Sequence, residues 1–211
     1  MANQFFNYTA IERVSVNQQP FPFFGLDNAL NISCHREILG NFPDISSGGS
    51  FSLDDIALSA TLDGLINEIE SDRFRALIAK KLDADLTDKP ILVTARGNSR
   101  LRDGKSHTDS KTKLVTVLLY FNDGWEHAEG RLRILNSNDV NDCDTEFSAA
   151  IGQMVAFKVT DNCWHGFQPF EGQRQSLQIN YLTDAKYSRQ HIVRHRVSAF
   201  FKKLLKPFTS L

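Results

Sequence analysis

Cysteine is scarce in this chain, with three in 211 residues (Cys34, Cys143, Cys163) and no C-x-x-C pair. An odd count without paired spacing argues against a disulfide scaffold or a cysteine-rich zinc site and leaves buried, reduced thiols as the expectation. Long apolar runs are missing as well. No stretch reaches the roughly 20 residues of a membrane-spanning helix. The opening MANQFFNYTA lacks the basic-then-apolar layout of a secretory signal, so a cytoplasmic location is expected. Net charge is nearly absent: 24 basic and 25 acidic residues leave a formal −1. That balance weighs against nucleic acid as a partner, since a coat that neutralises phosphates needs excess positive charge. There is no internal repeat and no low-complexity segment. What remains, 41% hydrophobic and 23% charged, has the balance of one compact domain spanning 1–211.

The even average conceals a basic tail. From Lys186 to Leu211 there are seven Lys or Arg and no Asp or Glu. Within it, HIVRHRVSAFFKKLLKPF carries apolar residues near helical spacing. This segment, 184–211, reads as a closing helix docked on the protein's own sheet, with peripheral contact to an anionic membrane as the alternative.

Upstream, three sections follow from local pattern. The first twenty residues are polar and irregular and are expected to be a loosely held arm. FPFFGLDNAL suits a short strand, Ser33 to Gly40 a helix, and NFPDISSGGSFSLDD a long loop. Between Ser59 and Leu86, apolar residues recur at three- and four-residue steps, which predicts helix, divided near Ser71. Residues 1–89 thus form an arm and supporting helices. From Pro90 the texture becomes short β-branched and aromatic runs, ILVTA, KLVTVLLYF, RLRIL, MVAFKV and SLQINYL, with no helix between them. So many strands in series predict an antiparallel barrel or jelly roll over 90–183, making the chain mainly β (α+β).

Chemistry concentrates in that β half. His107-Thr108-Asp109 precedes the strand Leu114 to Phe121, and His165 stands 58 residues further on. On a strand, residues i and i+2 share a face, so His107 and Asp109 can aim at one point with His165 brought opposite. Two imidazoles and a carboxylate form the facial triad of non-haem Fe(II) oxygenases, which leaves coordination positions open for catalysis. An H-x-D triplet alone is common by chance. Nine residues after His165, however, Arg174 enters a strand behind a Gly-containing turn, and a guanidinium there has the fork geometry to bind a carboxylate.

The runs HTD, TVLLYFNDGW, EGRLRIL, WHGFQP and GQRQSL together resemble the Fe(II)- and 2-oxoglutarate-dependent dioxygenases, in particular their prolyl-4-hydroxylase-like branch, over roughly Ile91 to Leu182. The resemblance implies a double-stranded β-helix, or jelly roll, with N-terminal helices packed on the major sheet. It implies His107, Asp109 and His165 as iron ligands and catalytic centre, and Arg174 on the distal carboxylate of 2-oxoglutarate. Tyr120, Thr116 and Ser176 are the further cosubstrate-binding candidates it suggests. Fe(II), 2-oxoglutarate and O₂ would be required, with ascorbate the additional cofactor the resemblance allows. The implied reaction is hydroxylation of an unidentified substrate, a protein prolyl residue or a small or lipid-linked metabolite, with 2-oxoglutarate and O₂ converted to succinate and CO₂. Retention of Asp109 favours hydroxylation over halogenation.

Two departures stand out. Many relatives carry a Gly-Gly pair before the strand that begins at Arg131, where this chain has Glu129-Gly130. The segment ARGNSRLRDGKS is unusually basic and lacks a tyrosine often found there. Arg96, Asn98, Arg100 and Arg102 read as strand charges in water, with reach to cosubstrate or an anionic substrate as the alternative. His127 reads as a solvated turn residue and Cys163 as a small strand residue beside His165. Substrate selection is expected in the loops at 41–56 and 122–130. Two other classes compete: a noncatalytic metal-binding jelly-roll module, which would bind metal without consuming 2-oxoglutarate, and a nucleic-acid demethylase of the same superfamily. The demethylase needs a basic groove and a pocket for a flipped base.

Overall fold

The computed structural model describes residues 4–187. Its helices are α1 (Tyr8–Arg13), α2 (Ile32–Asn41), α3 (Ala60–Glu70) and α4 (Asp72–Leu82). Its strands are β1 (Phe23–Leu26), β2 (Phe51–Ser52), β3 (Ile91–Ser99), β4 (Lys113–Tyr120), β5 (Leu132–Leu135), β6 (Cys143–Phe147), β7 (Met154–Lys158), β8 (His165–Gly166) and β9 (Gly172–Leu182). They form a six-stranded sheet in the order β1-β7-β4-β9-β3-β2 and a three-stranded sheet in the order β6-β5-β8, every pairing antiparallel. This is the jelly-roll, double-stranded β-helix architecture the strand pattern predicts. No helix among the described residues is long and apolar enough to cross a membrane.

Alternation along the long strands separates two environments. Val93 and Ala95 of β3, Val115, Val117 and Leu119 of β4, and Leu177, Ile179 and Tyr181 of β9 share one core with Leu62, Leu65, Ile69, Phe74 and Ile78 of the helices. The intervening residues face the small sheet, where Phe21, Phe23, Val155 and Phe157 pack with Leu132 and Ile134. Ser71 divides the helical stretch as its sequence position suggests. Its hydroxyl accepts from Phe74 N at the start of α4 and donates to Glu68 O at the end of α3, a capping role that satisfies backbone groups on both sides.

Four expectations need correction. The N-terminal segment is not a loose arm: Phe5, Phe6, Tyr8 and Ile11 are buried, α1 forms, and Glu68 accepts from Phe5 N at 2.7 Å. Its aromatic residues carry enough apolar surface to overcome a polar composition. Strand β6 was not expected, because its polar CDTEF sequence is an edge strand with no fully buried residue. His107 and Asp109 do not share a strand. His107 makes an isolated bridge to His165, and Asp109 lies in the loop that follows. Cys163 is buried in the turn before β8 rather than on a strand. The proposed C-terminal helix, and with it any membrane contact through that segment, lies outside the described residues.

Two irregularities break the alternation. The β3–β9 register shifts from Arg96↔Ser176 to Asn98↔Gln173, so Arg174 and Gln175 stand opposite the single residue Gly97. The β4–β9 register shifts between Lys113↔Leu182 and Val115↔Tyr181, which leaves Leu114 as an extra residue on β4. Such bulges re-aim side chains. At Gly97 there is no room for anything larger, since a Cβ would lie 2.2 Å from the Ile45 carbonyl oxygen.

Candidate active site

His107 and His165 meet through their backbones, each amide donating to the other's carbonyl at 3.1 and 3.0 Å, and their rings lie 4.3 Å apart. The Nδ1 atom of each is within 2.9 Å of a backbone carbonyl, that of Lys105 for His107 and of Cys163 for His165. Donating Nδ1–H there sets the tautomer and leaves both Nε2 lone pairs for a metal. His165 is buried, and burial, reinforced by the like charge of His107, pulls its pKa to about 4 against the opposing pull of Asp109. It is therefore a neutral ligand at neutral pH. His107 is exposed, so one side of the cluster opens to solvent.

Asp109 completes the group. One donor atom from each of His107, Asp109 and His165 lies within 4.8 Å of the others, and this is the His/Cys/Asp/Glu group among the described residues with that geometry. Burial resists ionisation of Asp109. The Lys113 ammonium, His165 and hydrogen bonds from Lys113 and Thr116 outweigh it and draw the carboxyl down to about 2. Lys113 Nζ donates to Oδ1 at 2.7 Å and Thr116 Oγ1 to Oδ2 at 2.5 Å. Each carboxylate oxygen retains a lone pair, so the donor set of two imidazoles and one carboxylate fits Fe(II). Lys113 was not anticipated: simple alternation points it to the opposite face from Thr116, and the bulge at Leu114 brings it back.

A pocket runs from His107 and His165 to Arg174, with Tyr120 and Ser176 on its wall. Arg174 is buried. Its Nε donates to Gly130 O at 2.7 Å, its Nη2 to Tyr120 Oη at 3.2 Å, and the guanidinium carbon sits 4.0 Å over the Phe167 ring. Gly130 adopts φ +72°, and a Cβ there would meet Trp125 at 2.7 Å. Gly130 is thus the position in this turn that requires glycine, and its carbonyl holds Arg174. By its strand face Thr116 is a candidate for the cosubstrate pocket. Its hydroxyl instead serves Asp109, with Asn180 3.0 Å away on its other side, and Thr116 is not part of the pocket wall.

The basic segment before the triad also divides differently from expectation. Arg96 is not a water-facing strand charge; it lines the pocket. Asn98 donates to Ile45 O at 2.7 Å, and Arg100 pairs with Asp103. Arg102 is exposed, as is His127, which meets Trp125 edge-on and Phe170 at a tilt, with ring separations of 5.3 and 5.0 Å.

Residues 98–182 match the model of the 2OG-Fe(II) oxygenase superfamily. The fold is similar to that of a prolyl-4-hydroxylase from Pseudomonas putida, with 16% identity over 84% of this chain and 97% of that one and a TM-score of 0.55. It is also similar to the viral collagen prolyl hydroxylase of Paramecium Bursaria Chlorella virus-1 in its 2OG complex (14% identity, 76% and 96% coverage, TM-score 0.50). A third similar structure is a Trichoplax adhaerens prolyl hydroxylase bound to a peptide fragment of the hypoxia inducible factor oxygen degradation domain (18% identity, 80% and 86% coverage, TM-score 0.50). No match to a curated protein was found.

Proposed function

We propose, from the premise that this chain belongs through residues 98–182 to the 2OG-Fe(II) oxygenase superfamily, that it hydroxylates its substrate at the His107, Asp109 and His165 centre. The observation that carries the assignment is the convergence of those three donor atoms within 4.8 Å at one end of a pocket whose other end presents Arg174. When bound, iron with 2-oxoglutarate supplies the oxidising chemistry: 2-oxoglutarate, O₂ and a substrate C–H yield succinate, CO₂ and C–OH.

The chain's own residues supply placement. The two Nδ1 bonds to carbonyls hold the imidazoles in the ligating tautomer, and Lys113 and Thr116 hold Asp109 ionised and fixed in orientation. Arg174, positioned by Gly130 O and Tyr120 Oη, receives the distal carboxylate of the cosubstrate through its free N–H groups, and Ser176 offers a hydroxyl beside it. Phe167, Leu118 and Leu132 line the same pocket and keep water from the bound 2-oxoacid. Exposed His107 marks the side from which substrate arrives.

A prolyl residue in a polypeptide is the first substrate class to test, because the similar structures include a prolyl-4-hydroxylase and a peptide-bound prolyl hydroxylase; a small or lipid-linked metabolite is the second. A cytoplasmic site of action belongs to the same proposal. The test is anaerobic titration of metal-free protein with Fe(II) and then 2-oxoglutarate. A weak visible charge-transfer band, followed on exposure to O₂ by succinate formation, is the expected result. Iron binding without the band would favour a noncatalytic metal-binding module.

A further inference from the structure

We propose that Arg96 is a second guanidinium for the distal carboxylate of the cosubstrate, so that this carboxylate is held between Arg96 and Arg174. The inference rests on the function proposed above and extends it to a residue outside the matched segment. Arg96, Ser176 and Tyr120 form a cross-strand row, with Arg96 opposite Ser176 and Ser176 opposite Tyr120. All three line the pocket at the end that holds Arg174. The row sits four residue pairs along the sheet from Thr116 and Asn180, which mark the metal end through the hydrogen bond to Asp109.

Arg96 is half-buried and makes no ion pair or side-chain hydrogen bond among the described residues. The carboxylate nearby, Asp103, is taken by Arg100, whose Nε and Nη2 donate to it at 3.0 and 2.8 Å. Arg174 cannot offer its Nε edge to a ligand, because Gly130 O and Tyr120 Oη occupy it. A terminal carboxylate therefore finds one open guanidinium edge on Arg174 and an unpartnered guanidinium on Arg96. Without an anion the two cations repel across a poorly solvated space. Burial and the proximity of Arg174 both push the Arg96 pKa below its ordinary value. A bound carboxylate converts that repulsion into attraction, so binding and stability are coupled.

The test compares wild type, Arg96→Gln and Arg96→Lys, each loaded anaerobically with Fe(II), by calorimetric titration with 2-oxoglutarate and with 2-oxovalerate, which has the same chain length but ends in a methyl. In Arg96→Gln, 2-oxoglutarate affinity should fall about tenfold or more, the size of one charge-assisted hydrogen bond. Affinity for 2-oxovalerate and for Fe(II) should hold, and the melting temperature of the ligand-free protein should rise. Arg96→Lys keeps the charge without the fork and should show an intermediate loss with no gain in stability. Equal weakening of both 2-oxoacids, or a lower ligand-free melting temperature in Arg96→Gln, would overturn the proposal in favour of a structural cation. Unchanged 2-oxoglutarate affinity would overturn it and leave the proposed function standing. Failure of iron-loaded wild type to bind 2-oxoglutarate would remove both.

Discussion

On β3, β4 and β9, the central strands beside the pocket, alternate residues give the two faces of the six-stranded sheet contrasting chemistry. Toward the helices, β3, β4 and β9 present Val93, Ala95, Val115, Val117, Leu119, Leu177 and Ile179, all buried in one apolar core. Toward the small sheet, the same strands present Thr94, Arg96, Thr116, Tyr120, Ser176 and Asn180, nearly all buried and nearly all polar. Apolar burial stabilises at roughly 25 cal/mol per Å², whereas buried polar groups at best offset their own desolvation. On these strands the helix-facing side thus carries the apolar stabilisation, while the pocket side, flanked by the apolar cluster of Phe21, Phe23, Val155 and Phe157, carries the functional groups.

The sharpest way to break this comparison is His107→Ala. The side chain is exposed, so its loss should take turnover to background while the melting temperature stays within a degree or so, the small effect expected of a surface change. Unfolding of the variant would show that the pocket side carries stability after all. On the helix-facing side, Ile179→Ala should behave oppositely. It should lower unfolding free energy in denaturant titrations by about 2–5 kcal/mol and leave the KM for 2-oxoglutarate unchanged in the protein that remains folded. A smaller effect sharpens the contrast within the pocket side: Thr116→Val removes one of the two hydrogen bonds on Asp109 and should weaken Fe(II) binding by about 10–100-fold, read by competition with a chelator. Unaltered metal affinity would mean that Lys113 alone orients the carboxylate.

Much of this arrangement is legible in the chain itself, for physical reasons that differ by element. The helices α3 and α4 declare themselves through apolar spacing and Ser71, and the long strands through β-branched runs, because burial imposes a period on the sequence. His107, Asp109, His165 and Arg174 stand out by residue type and spacing; the structure clusters the first three and places His107, His165 and Arg174 on one pocket. What escapes is whatever depends on register. Lys113 reaches Asp109 only because Leu114 is an extra residue in the ladder, and no local pattern signals that. Arg96 looks like an exposed strand charge until its row with Ser176 and Tyr120 is known. Thr116 points to the cosubstrate by its strand face alone, whereas its hydroxyl is used by the loop carboxylate beside it. The buried N-terminus was obscured in the same way, since Phe5 and Phe6 lie among polar neighbours and find their partners some sixty residues away, at Glu68 and Phe74.

The extra residue in β9 at Arg174 and Gln175 also bears on how this chain can change over time. Point substitutions leave the phase of a strand intact, but loss of one residue there would restore a regular ladder opposite Gly97 and turn Arg174 toward the helices. Deletion of Gln175 is therefore equivalent to removing the arginine, even though the arginine itself survives. In comparing descendants of this sequence, the spacing between Arg174 and Ser176 carries as much information as the presence of the arginine.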